Sequence, residues 1–87
     1  MKLKREFVLR SVADTWVVLP HGAETANLNG MLTLNESGAI LWRALEEGGD
    51  REAMANALMA EYVVDRLQAL EDADAFLEKL REYGCLE

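Results

Sequence analysis

Eighty-seven residues, 51% of them apolar, are expected to fold as one domain over residues 1–87, with no length left for a second core. No apolar run reaches the roughly 18 residues of a membrane span, and no apolar stretch follows the basic start as a secretory signal requires, so a cytoplasmic protein is expected. The net charge of −7 divides into +3 over residues 1–10 and −10 over the remainder, a surface that repels phosphate backbones and argues against nucleic acid.

Residues 6–35 alternate in polarity and are rich in β-branched and aromatic types, whereas residues 36–87 follow a helical period. Residues 6–12 read as a first strand, Ala13-Asp14 as its turn, and residues 15–19 as a second strand stopped by Pro20, which together make an antiparallel hairpin. Residues 21–29 are polar and contain glycine, as a loop does. Residues 30–34 read as a short third strand, with Leu32 and Leu34 on one face and Met31 and Thr33 on the other.

Asn35 suits an N-cap, with Glu36 in the first turn of a helix that runs to about Glu47 and stops at Gly48-Gly49. Leu41, Trp42 and Leu45 form its apolar stripe. Asp50 caps a second helix with apolar positions Ala53, Met54, Ala57, Leu58 and Ala60. Val63-Val64 interrupts the pattern, and Asp65 caps a third helix over residues 66–83, with Gly84 just past its end. The fold class is α+β: a three-stranded antiparallel sheet followed by three helices, in a winged helix-turn-helix-like arrangement.

The inventory for catalysis is thin. The single cysteine, Cys85, and the single histidine, His21, form no disulfide and no zinc-ligand spacing. Cys85 reads as a small apolar side chain in a terminal turn, and His21 as a solvated loop residue. No glycine-rich phosphate loop or nucleophile elbow occurs. Neither an enzyme nor a cofactor is expected.

The third helix carries the functional signal. At 100° per residue, Leu70, Ala73, Leu77 and Leu80 form one apolar row, and Ala69, Phe76 and Tyr83 form a second beside it. Together they span about 140°, more than a one-sided core contact needs. The second row either completes the core or lines a groove open to a ligand. Asp72 and Lys79 lie on its polar border.

Three segments resemble the PqqD-like family, the RiPP recognition elements that bind leader peptides of ribosomally made, post-translationally modified peptides. They are Leu34-Asn35-Glu36-Ser37-Gly38-Ala39-Ile40-Leu41-Trp42, then Glu61-Tyr62-Val63-Val64-Asp65, and then residues 72–80 with Gly84-Cys85-Leu86-Glu87. Ala73 stands where the family usually has Val, and Cys85 where it usually has Leu. Within these segments Asn35 reads as a cap, Gly38 and Ala39 as allowing close approach of a neighbouring element, and Trp42 as core.

The resemblance implies a precursor leader peptide as partner, added as a strand beside the third strand with its side chains against the third helix. The implied peptide-binding residues are Met31, Leu32, Thr33 and Leu34 along the strand, and Ala69, Asp72, Phe76, Lys79 and Tyr83 along the helix. It also implies a modifying enzyme as partner, often a radical S-adenosylmethionine protein, with no membrane and no nucleic acid. A monomer or a homodimer fits.

Two other readings compete. A DNA-binding winged helix is opposed by the third helix itself, where Arg66, Lys79 and Arg81 face Glu71, Asp72, Asp74, Glu78 and Glu82. An oligomerisation module would use the spare apolar row to bury a second subunit.

Overall fold

The alternating first half pairs as its pattern predicts. The computed structural model describes residues 2–20 and 32–87. Strands β1 (Phe7–Val12), β2 (Thr15–Pro20) and β3 (Leu32–Leu34) form an antiparallel sheet in the order β1-β2-β3. The expected loop over residues 21–29, with His21, lies outside the described residues, as do Gly30 and Met31. Val12 pairs with Thr15, so Ala13 and Asp14 alone make the turn. Both are left-handed, at φ 49 and 66, the geometry whose twist matches that of the flanking strands.

This turn sets the hydrogen-bond parity of the sheet. A two-residue loop makes Val12 and Thr15 a hydrogen-bonded pair, and antiparallel pairs then alternate. Arg10 with Val17 and Val8 with Leu19 are therefore bonded pairs, while Phe7 with Pro20 is not, as befits a residue with no N–H. On β2 the backbone groups that face β3 are those of Trp16 and Val18, partners of Leu34 and Leu32.

The helices are α1 (Glu36–Glu46), α2 (Arg51–Glu61) and α3 (Arg66–Glu82). All three expected caps form: Asn35 accepts from the Gly38 N–H at 2.8 Å, Asp50 from Ala53 at 2.9 Å and Asp65 from Gln68 at 2.8 Å. Gly84 follows α3 at φ 73, a conformation that costs glycine nothing. Gly49 is needed for space, since a Cβ there would lie 2.6 Å from the Ala44 carbonyl oxygen.

One core joins Val18, Leu32 and Leu34 of the sheet to Trp42, Met54, Leu58, Ala73 and Leu80 of the helices. Two sequence expectations shift. On α2 the buried alanine is Ala55, and Ala60 is exposed. On α3 the buried arc centres between the two expected rows, on Ala69, Ala73, Phe76, Leu77 and Leu80, with Leu70 only half-buried. Its packing along α2 turns the helix this way. Gly38 meets its expectation: a Cβ there would lie 3.2 Å from Leu34 Cβ and 3.3 Å from Asn35 Oδ1, so glycine lets the end of β3 approach α1 closely.

The ends of the chain clasp each other. Leu3 bridges Leu86, the Lys4 N–H donates to the Cys85 carbonyl at 2.9 Å, and the Glu87 N–H donates to Lys2 at 2.8 Å. Cys85 is buried beneath this clasp, as its apolar reading requires, and burial pushes its thiol pKa up while nearby Lys4 pulls it down. Among the described residues, no helix is long and apolar enough to cross a membrane.

Candidate functional site

β3 is an edge strand, paired with β2 alone among the described residues. Thr33 stands opposite Val17, and Val17 spends its backbone groups on Arg10. By the alternation of the ladder, Thr33 turns its N–H and C=O away from β2, onto the open edge. Its side chain is exposed, and those of Leu32 and Leu34 go into the core.

Two adjoining cavities run from the end of this edge along α3, the first beside Leu34 and the second between the start of α1, the end of α2 and α3. One, of about 360 Å³, is walled by Leu34, Gly38 and Leu41 on one side and by Asp72, Ala75, Phe76 and Lys79 on the other. The second, of about 380 Å³, is bordered by Glu36, Tyr62, Val64 and Asp72. Asn35, Ser37, Leu58 and Asp72 line both, so the cavities form one continuous groove. Its floor is apolar and its rim is charged. The Asn35 cap fixes one wall: its Oδ1 accepts from both the Gly38 N–H and the Ser37 hydroxyl. Asp72 on the opposite wall accepts from Gln68 Nε2 at 2.9 Å.

The residues singled out in the sequence divide among three places. Leu34, Asp72, Phe76 and Lys79 come together in the groove. Leu32 and Ala69 are buried, Ala69 completely, because the α3 arc is turned toward the core. Phe76 does both jobs: it is 7% exposed, packs in the core and forms part of the groove wall. Tyr83 caps the end of α3, half-exposed, and borders neither cavity. Met31 lies outside the described residues.

Glu36, Leu41, Leu58, Tyr62, Val64 and Ala75 line the groove without having been singled out as site residues. Glu36 and Tyr62 stood within the recognised motifs, but their spacing along the chain gives no sign that they meet. Among the described residues, no cluster of His, Cys, Asp and Glu has the geometry to hold a metal ion.

The family model for Coenzyme PQQ synthesis protein D (PqqD) matches residues 15–86. The chain belongs to the PqqD family. The match opens at the first residue of β2, so every element of the groove falls within the PqqD span. Among solved structures, TbiB1 in complex with the TbiA(beta) leader peptide is 32% identical with a TM-score of 0.78, over 100% of this chain and 95% of that one. Lasso peptide synthetase B1 complexed with the leader peptide is 25% identical with a TM-score of 0.76, over 99% of this chain and 95% of that one. No curated protein matches the chain.

Proposed function

We propose that this PqqD-family domain binds the leader segment of a ribosomally made precursor peptide and presents it to a modifying enzyme. The leader adds as a strand along β3, and its alternate side chains enter the groove against α3. The observation that carries this reading is Thr33, whose N–H and C=O face the open edge directly beside a lined, continuous groove. The leader complexes of the two similar structures support it. The domain itself carries out no chemistry and takes no cofactor. Holding the precursor raises its effective concentration at the enzyme, a radical S-adenosylmethionine protein being the family's frequent choice. Residues 1–87 act as one unit in the cytoplasm. DNA binding is disfavoured by a groove rim that carries Glu36 and Asp72.

Hydrogen exchange in the presence of a saturating leader peptide tests the reading. The Thr33 amide slows on binding, while Leu9 and Ser11, whose amides face outward on β1, exchange as before. Slowing confined to β1, or binding with no change at Thr33, rules out strand addition at β3.

A further inference from the structure

The groove carries charges of both signs, and none of them joins an ion pair among the described residues. Arg51, Arg66 and Arg81 of the helices are paired with Asp74, Glu52 and Glu78. Glu36, Asp72 and Lys79 line the groove and join no ion pair among the described residues. The Tyr62 end holds Glu36 and Asp72, with no lysine or arginine among the described residues of its lining. The other end holds Lys79, with Phe76 and Ala75 between.

The Tyr62 end suits a long cationic side chain. Leu58 and Val64 offer apolar surface for an aliphatic stem, and the Tyr62 ring and two carboxylates suit its head. The C-terminus of α2 lies here, the negative end of a helix with no basic residue in its last turn. The N-terminus of α1 opposes it with positive polarity. That end is already served by the Asn35 side chain on Gly38 and by Glu36 in the first turn. The Tyr62 hydroxyl pKa is raised by partial desolvation and then by Glu36 and Glu61, so these carboxylates are felt at the ring.

Asp72 and Lys79 are seven residues apart on α3, about 10 Å along its axis. A strand advances about 13 Å over four residues and shows the same face at every second one. We propose that the groove selects a peptide segment with an apolar residue at its centre, a Lys or Arg two positions to one side and an Asp or Glu two positions to the other. The cation lies at Glu36, Tyr62 and Asp72, the apolar residue against Phe76, and the carboxylate at Lys79. This rests on the peptide-binding reading and names the class of segment it accepts.

Selection of short randomised peptides displayed on phage tests it. The wild-type chain is expected to enrich opposite charges around an apolar centre, in one order only, by roughly tenfold over the unselected pool. Glu36→Gln with Asp72→Asn removes the cation preference and keeps the apolar one. Lys79→Glu turns the carboxylate preference into a cation preference. All three positions are exposed, and circular dichroism confirms that the variants fold. Enrichment of apolar centres without charge preference, or with a preference the variants leave unchanged, overturns the proposal and leaves peptide binding standing. Failure to enrich any peptide overturns peptide binding and this proposal with it.

Discussion

The two edges of the sheet are unequal in a way that backbone alone does not foretell. β1 is six residues long and turns the amides of Leu9 and Ser11 outward, while β3 is three residues long and turns out Thr33. By count of open hydrogen-bonding groups, β1 is the better template for an added strand. Yet β1 packs mainly on β2, whereas β3 leads straight into α1 and faces α3 across a lined groove. An open edge offers main-chain bonds to any extended chain. The helices beside β3 supply side-chain pockets, and the proposed selectivity of this edge rests on them.

Phe76 ties that edge to the core, so its removal has the largest expected effect. Phe76→Ala lowers unfolding free energy by about 3–5 kcal/mol, because a buried ring is lost and a cavity remains. Chemical denaturation checks this. A loss of peptide affinity at unchanged stability would instead make Phe76 purely a groove residue and detach the β3 edge from the core.

Proline substitution compares the edges directly. Thr33→Pro removes the outward amide without breaking the bonds to β2, and weakens peptide binding by about tenfold or more in isothermal titration. Ser11→Pro makes the same change on β1 and leaves affinity unaltered. Equal losses from the two variants would erase the distinction between the edges. Leu34→Pro serves as the opposite-parity control: its amide faces Trp16, and the change unfolds β3.

A smaller effect sits at the tip of the β1 hairpin. Asp14 holds φ 66 without being glycine. Asp14→Gly raises stability by about 0.5–1 kcal/mol in thermal melts with no change in peptide affinity. A change in affinity would couple the hairpin to the groove.

The smallest effect is on the surface of α3 away from the groove. Arg51 binds Asp74 through two hydrogen bonds, at 2.6 and 2.9 Å, and holds that carboxyl below the usual carboxylate range. A lowered folded pKa adds stability that is present above the ordinary carboxylate pKa and is lost as pH falls through the folded value. Both groups are exposed and screened, so Asp74→Asn flattens the acid limb of the stability profile only slightly. Peptide affinity is unchanged. An altered peptide preference would extend the site around α3.

Local chemistry was legible wherever a few neighbouring residues decide it. Asn35, Asp50 and Asp65 each cap the helix that follows, because a cap needs only its own side chain and an amide three residues on. The β1–β2 hairpin follows from alternation around Ala13-Asp14. The terminal clasp was less visible. Lys2-Leu3-Lys4 shows one period of alternation, too little to announce a strand before Leu86 is known to lie beside it.

The chain order of elements and their caps were written in local pattern, while the grouping of Leu34, Asp72, Phe76 and Lys79 was implied by the family resemblance alone. Three matters waited for tertiary structure. The rotation of α3 sends Ala69 inward and leaves Tyr83 beside no groove wall, since helical period spaces residues evenly but the packing against α2 chooses which arc is buried. The outward turn of Thr33 depends on a register counted from the hairpin through β2 to β3, which joins residues far apart in sequence. The meeting of Glu36, Tyr62 and Asp72 joins the start of α1, the end of α2 and the middle of α3. Charge acts through space, so their shared preference for a cation exists only once the chain has folded.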